Sequence, residues 1–456
     1  MLTGQYVYGD RVRLSKLVER ETSIFSKRTS KSKEAFEQSR KVLLGGVPMS
    51  WMSKWSGGYP IFFKSARDSK ISDLDGNIYV DFCLGDTGAM AGHSPGATVS
   101  AVIERVRDKG GITTMLPSLD AVNAASALSA RFPLPYWQFT LSATDANRFA
   151  LRFARQITGR SKVLVFSYCY HGTVDESFIV LDNGVPRSRT GNVGPAVDPT
   201  DTTVVVEFND IEAVRRALST YEIAAVLTEP ALTNIGIVLP VAGFHEELRR
   251  LCSETSTLLI IDETHTFSAG YGGATELFGL DPDMITIGKS IGGGVPVGAY
   301  GVSDAVAERL LADQEADLVD TGGVGGTLAG NALSVAAVAA TLEHVFTKEA
   351  FAKMIDLCAT FEQGVTDAFF EFGAPFCAVR LGARIEYRFT PSPPLNGGES
   401  ASYGDDLLDQ YFHLYMANRG VLMTPFHNMA LMAPTTTLED VETHTNLFKE
   451  AVGELF

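Results

Sequence analysis

Two short apolar runs each end on a group that could take part in one reaction. LLIID closes on Asp262, and MITIGK closes on Lys289 ahead of a glycine-rich IGGGVP turn. Buried strands of parallel sheets read as short apolar runs, and ligands collect beyond their carboxyl ends. The runs therefore present a carboxylate and an amine side by side at one sheet edge. Such a pair suits an aldehyde cofactor with a basic ring nitrogen. The amine forms an imine with the aldehyde, and the acid keeps the ring nitrogen protonated. A bare acid and lysine also have a bland explanation, a helix cap and a surface cation before a turn, so the rest of the chain decides between them.

Three further stretches add chemistry. SATDANR (142–148) joins a strand to a helix and offers backbone N–H groups, hydroxyls and a helix dipole to a phosphate; Asp145 could equally serve only to cap that helix. YHG (170–172) places an aromatic ring just after the apolar VLVF run, where it could stack on a flat cofactor. GGVGGTLAGN (322–331) is a second glycine-rich loop entering a helix, with Thr327 able to reach a phosphate. The chain holds no GxxxxGK[ST], no strand-linked GxGxxG, no HExxH and no GxSxG. Its eight histidines show no metal-ligand spacing, so no metal is expected.

The elements that must hold these groups alternate along residues 80–330. Strand candidates are 137–141, 162–166, 203–207, 224–229, 257–262, 284–288 and 297–302, with amphipathic helices expected over 145–158, 209–221 and 243–255. Strands alternating with helices argue for an α/β fold with a mainly parallel sheet. VGAYGV follows MITIG too closely for a helical crossover, which predicts one antiparallel strand. Before this region, DLDGN marks a hairpin turn in 62–82, and SKEAFEQSRKVL reads as a helix. After it comes a long small-residue helix and a mixed C-terminal part, in which PSPPLNGGESASYGDD (391–406) reads as a loop or lid.

At 456 residues the chain exceeds the roughly 250–300 at which a single core stops growing, so subdomains are expected. The division read from the sequence is 1–79 (N-terminal part of a small domain, with a substrate loop), 80–330 (large domain) and 331–456 (connecting helix and C-terminal small domain). A net charge of −16 argues against general nucleic-acid or anionic-membrane binding. The five cysteines are scattered and odd in number, and the first residues lack the apolar core of a secretory signal, so a cytoplasmic protein is expected.

The order SATDA, YHG, EP, DE, GKSIGGGVPVGAYG and GTLAGN resembles the class III aminotransferases, and within them the glutamate-1-semialdehyde aminomutase branch. The likeness runs from GGVP at 45 to the GTLAGN helix. It implies a fold type I enzyme with a mostly parallel seven-stranded sheet between helices and a smaller α+β domain built from both termini. Pyridoxal 5'-phosphate is the implied cofactor. By that resemblance Lys289 carries the cofactor and shuttles the proton, and Asp262 pairs with its ring nitrogen. Tyr170 stacks on one face, Thr264 takes the place of the family's usual valine on the other, and Ala143 and Thr144 form the phosphate cup. Glu229 and His171 stand near the ring. Thr327 reaches the phosphate of a partner subunit, which implies a homodimer with shared active sites.

SATDA departs from the usual SGTEA, and DETHTFSAG from the frequent DEVxxGFR. Met52 falls about where the aminomutase branch has a carboxylate-binding arginine. Trp51 and Trp55 make the same loop apolar, which favours a bulky or aromatic amino substrate. Arg384 and Arg388, spaced to share one side of a strand, are then the candidates for holding a keto acid. The expected activity is ping-pong transamination between an amino acid or amine and a keto acid or aldehyde. Intramolecular amino transfer of the aminomutase type is the alternative, and a catalytically reduced cofactor-binding protein a second one.

Overall fold

The computed structural model describes residues 9–312 and 322–456. The first eight residues, part of the segment read above for a secretory signal, lie outside them. The chain divides into two compact units, one comprising Pro95–Phe351 and Pro394–Ala401, the other Met1–Ser94, Ala352–Pro393 and Ser402–Phe456.

The first of these units is built on a seven-stranded sheet. Its strands in chain order are β1 (Tyr136–Thr140), β2 (Lys162–Phe166), β3 (Thr203–Val206), β4 (Ile223–Thr228), β5 (Leu258–Asp262), β6 (Met284–Ile287) and β7 (Gly298–Val302). They lie side by side as β1-β7-β6-β5-β4-β2-β3. β7 pairs antiparallel with both neighbours, and β2 to β6 pair in parallel, β5 with β4 and β6, β2 with β3 and β4. The mostly parallel sheet and its one reversed strand are therefore as the apolar runs imply. Every residue of β4, β5, β6 and β7 is buried. That burial is why these strands read as unbroken apolar runs rather than as alternating ones. The three expected helices are present as Ala143–Thr158, Ile211–Leu218 and Phe244–Thr255.

The other unit is α+β. Phe63–Arg67, Lys70–Asp73 and Ile78–Asp81 form an antiparallel meander, extending the expected hairpin by one strand. Val421–Leu422 then joins it in parallel, Val421 opposite Val80. A second sheet has Arg384–Arg388 at its centre, paired antiparallel with Cys377–Leu381 on one side and Met429–Leu431 on the other. The core between its elements is aromatic: Phe412 and Phe448 stack at 5.2 Å, and His444 lies stacked on Phe361 at 4.1 Å. Full burial drives the His444 imidazole down to about 3, so it sits there neutral.

The unit boundaries fall later in the chain than 79/80 and 330/331. Phe82 exchanges backbone hydrogen bonds with Leu422 and Leu431, which ties 80–94 to the α+β unit. The helix Ala332–His344 packs on the helices Gly96–Ile103 and Leu119–Ser129, which keeps it with the large sheet. Residues 391–406, read as a loop, contain the short helix Gly397–Ser402. The described residues 9–40 carry two helices, Arg11–Arg28 and Ser30–Ser39, of which the sequence signalled only the second. Among the described residues, no helix is long and apolar enough to cross a membrane.

Candidate active site

β5 and β6 run in register with Asp262 opposite Thr286, so their carboxyl ends deliver Asp262 and Lys289 to one edge. Gly288 turns the chain out of β6. A Cβ there would lie 2.9 Å from the Cβ of Ala143, so no larger residue fits between this turn and the SATDA junction. Lys289 itself has φ +51°, in the left-handed region that L-residues enter at a cost of about 1–2 kcal/mol. Its Nζ lies 2.8 Å from Nε2 of His265, a residue only 5% exposed in the turn after β5.

Asp262 is buried and held by three partners. Its Oδ2 accepts from Asn147 Nδ2 at 2.8 Å and faces His171 Nδ1 at 2.9 Å, and its Oδ1 accepts the backbone N–H of Thr264 at 3.0 Å. Asn147 is fixed in turn, its Oδ1 accepting the Thr286 hydroxyl at 2.6 Å and its amide also donating to the His171 carbonyl at 3.1 Å. Burial alone raises a carboxyl, yet His171 and these donors hold Asp262 below the usual carboxylate range. Burial alone would likewise lower His171, but Cys169 and the Asp262 carboxylate push it up to about 10. At neutral pH the pair is therefore an anion and a cation, with His171 Nδ1–H donating.

The helix Ala143–Thr158 begins beside this pair. Ser142, rather than Asp145, is its N-cap, its hydroxyl accepting the Asp145 N–H at 3.2 Å. Ala143 and Thr144 are its first two residues, whose N–H groups a helix leaves without internal partners. The Thr144 hydroxyl accepts from Thr173 N–H at 3.1 Å, and Gly172 at φ +77° leaves no room for a side chain against Thr144. The YHG loop and the helix start are thereby locked together. Tyr170 is half-buried, with its ring edge-on to Phe178 at 6.4 Å. Glu229, just past β4, is buried and accepts the Thr233 hydroxyl. Thr327 is exposed on the 322–331 loop.

The residues present fit pyridoxal phosphate. An anion is available for a ring nitrogen, an amine for an aldehyde, and a helix N-terminus for a phosphate. The Thr264 and Ser290 hydroxyls and Nε2 of His171 are buried without a hydrogen-bond partner among the described residues, where a polar ring could meet them.

The candidate substrate residues all belong to the α+β unit. Trp51 is 43% exposed and meets Phe426 edge-on at 6.4 Å. Trp55 is half-buried and lines a small cavity together with Phe25, Ile61 and Leu422. Met52 is half-buried in the turn Ser50–Ser53. Arg384 and Arg388 do sit in one strand, with Glu386 between them on the same side. Arg384 is fully buried, donating to the Thr87 hydroxyl at 3.1 Å and lying 3.7 Å from Asp86. Arg388 lies 3.6 Å from Glu386, which His427 also approaches at 3.4 Å.

Two residues of the site escaped the sequence reading. Asn147 was visible as the polar residue one turn into the SATDANR helix, on the same side as its start. His265 was visible in DETHTFSAG, the stretch already marked as unusual.

A family model for aminotransferase class-III matches residues 51–451. The glutamate-1-semialdehyde 2,1-aminomutase of Aquifex aeolicus is 32% identical over 432 residues, covering 93% of this chain and 100% of that one. A crystal structure of a glutamate-1-semialdehyde aminomutase from Pseudomonas aeruginosa is 45% identical and superposes with a TM-score of 0.96, covering 99% of this chain and 100% of that one. A lysine-to-alanine variant of that protein was crystallised in complex with PMP. A β-phenylalanine aminotransferase from Variovorax paradoxus, 25% identical, gives a TM-score of 0.84 over 96% of this chain and 97% of that one.

Proposed function

The chain belongs to the class III aminotransferases, which work with pyridoxal phosphate, and from that premise we propose that it moves an amino group within one molecule, as the aminomutases do. The full-length likeness to the aminomutases is the observation that carries this reading. The cofactor supplies an aldehyde that binds amines and a protonated ring that draws electrons away from the carbon being deprotonated. Lys289 is the residue that holds it covalently and moves protons. Transfer between adjacent carbons requires a proton to leave one and arrive at its neighbour, and the half-exposed Lys289 Nζ is a single flexible arm able to serve both. Asp262 keeps the ring nitrogen protonated, with His171 and Asn147 fixing the carboxylate in place. Ala143 and Thr144 hold the phosphate, Tyr170 and Thr264 bound the ring, and Glu229 stands behind it.

A second reading rests on Met52 and Trp51. With an apolar thioether at the arginine position and a tryptophan against Phe426, the loop suits a bulky or aromatic amino donor. The chemistry is then intermolecular, and Arg388, more exposed than Arg384, is the better cation for a keto acid. Incubation of the holoenzyme with glutamate-1-semialdehyde alone separates the two. Conversion to the isomeric amino ketone without any added acceptor is the expected result. Amino transfer that starts only when a keto acid is supplied overturns the intramolecular reading in favour of the second.

We also propose a homodimer with shared sites. Met115 (93% exposed), Leu116 (78%) and Leu119 (80%) form an uncovered apolar run, and Thr327 is exposed rather than folded into its own chain's phosphate cup. Sedimentation at assay concentration is expected to give the dimer, with Thr327→Ala lowering cofactor affinity. A fully active, cofactor-loaded monomer would rule this out.

A further inference from the structure

Part of the PSPPLNGGESASYGDD stretch, read from the sequence as a loop or lid, packs on the large sheet. Pro394–Ala401 belongs to the unit of β1–β7, although the chain on either side, Ala352–Pro393 and Ser402–Phe456, belongs to the α+β unit. It lies as a strap over the turns that follow three adjacent strands, β4, β2 and β3. Past β2, a Cβ on Gly397 would collide with the Ser167 carbonyl oxygen and come within 3.2 Å of Tyr168 Cβ. Past β3, Glu207 Oε2 accepts the Gly398 N–H at 3.2 Å, and the Gly397 N–H and the Ser167 hydroxyl also donate to this carboxylate. A Cβ on Gly398 would lie 2.7 Å from Glu207 Oε1, so the paired glycines are what let the carboxylate reach the strap's backbone. The Asn209 amide donates to the Leu395 carbonyl at 2.8 Å. Past β4, the Ser400 hydroxyl donates to the Ile235 carbonyl. Burial raises the Glu207 carboxyl above its ordinary value although these donors pull the other way, so it is a covered acid and not a surface one.

The turn under Gly397 is the one that leads to the YHG loop. Tyr168 has φ +64°, in the left-handed region that a bulky residue keeps only where its surroundings fix it. Arg189 holds the same turn from another side, donating to the Cys169 carbonyl at 3.2 Å with its guanidinium 5.6 Å from the centre of the Tyr168 ring. Tyr170 is two residues further on. We propose that the strap Pro394–Ala401, latched by Glu207, presses the Ser167–Tyr168 turn into place and thereby positions Tyr170 for the cofactor. Glu207 acts through Tyr170 and is thus a positioning residue.

The proposal rests on the reading of Tyr170 as a residue that bounds the cofactor ring, so the test couples the strap to that side chain in the full-length chain. Gly397→Ala and Glu207→Ala are expected to speed proteolytic cutting within 391–406. Both are also expected to weaken binding of pyridoxal phosphate by about tenfold, read by titrating the chain freed of cofactor. Glu207→Gln keeps an oxygen for the Gly398 N–H and is expected to recover most of that loss. In a Tyr170→Ala chain, the further change Gly397→Ala is expected to cost no more than about twofold, because the side chain through which the strap acts is gone. The same cycle is run with Glu207→Ala, so that a Gly397→Ala chain that fails to fold leaves the test intact. Strap variants that bind the cofactor as wild type does overturn the proposal. So do a strap cut no faster than in wild type, a Gln variant as weak as the Ala variant, or losses that simply multiply in the double variants. Tyr170→Ala binding the cofactor as tightly as wild type overturns instead the reading on which the proposal stands, and the proposal with it.

Discussion

Lys289→Ala is expected to lower turnover by at least about four orders of magnitude, because on the proposed reading it removes both the covalent anchor and the general acid–base of the reaction. Reversible cofactor binding should survive, since the phosphate cup at Ala143 and Thr144 and the carboxylate of Asp262 are untouched. Lys289→Arg separates nucleophile from charge. A guanidinium does not deprotonate in a protein, so the Arg variant keeps a cation at the site and should be as inactive as the Ala variant. In the wild type, borohydride should bleach the cofactor's visible band and leave it attached to the peptide containing Lys289. An Ala variant retaining more than about a hundredth of wild-type turnover, measured in both half-reactions, would show that another group does this work.

Asp262→Asn should lower turnover by roughly 10²–10⁴-fold, in the range of a lost acid–base or electrostatic contribution. The amide keeps the size of the side chain, and its oxygen can still accept from Asn147. It cannot hold a proton on a ring nitrogen or balance the His171 imidazolium. The same substitution should flatten the dependence of stability on pH, and the sign follows from the two shifts. Asp262 is held below its ordinary value, so its contribution is present above about pH 3.9 and is lost as the pH falls. His171 is raised to about 10, so its contribution is complete below about pH 6.5 and is lost as the pH rises toward about 10. The wild-type melting temperature should therefore decline at both ends of that window. In Asp262→Asn the alkaline decline should shrink, because His171 has lost the partner that keeps it charged. Melting curves for the two proteins between pH 4 and 10 that remain parallel would sink the ion-pair account.

The inner strands β4 to β7 were legible because burial on both faces leaves a plain signature, an apolar run as long as the strand. The reversed β7 was legible from connection length alone. The N-terminal helix Arg11–Arg28 was not, since it buries only Leu14, Glu21 and Phe25 and its sequence is mostly polar. Asp262 and Lys289 were legible through their positions at strand ends. The groups that tune them were harder to see. Asn147 meets Asp262 across 115 residues of sequence and His265 meets Lys289 across 24, and no local pattern encodes such meetings. Arg384 is the opposite case. Its spacing from Arg388 was read correctly, but arginines are usually exposed, and only the tertiary structure shows Arg384 buried against Asp86 and Thr87.

The α+β unit is assembled from three separate stretches of chain, and this bears on how the protein comes off the ribosome. Its N-terminal meander emerges first, but the strand Ile78–Asp81 finds its parallel neighbour only when Val421–Leu422 has been made. Until then one edge of a small sheet stays open, the kind of edge that invites pairing with another chain. The sheet of β1–β7 lies entirely within the stretch synthesised in between and can close before the last third of the chain exists. The large unit is thus expected to mature first during synthesis, while the edge of the meander stays open. Over the same interval the nascent chain is most exposed to misassembly, and chaperone binding should concentrate on residues 63–81.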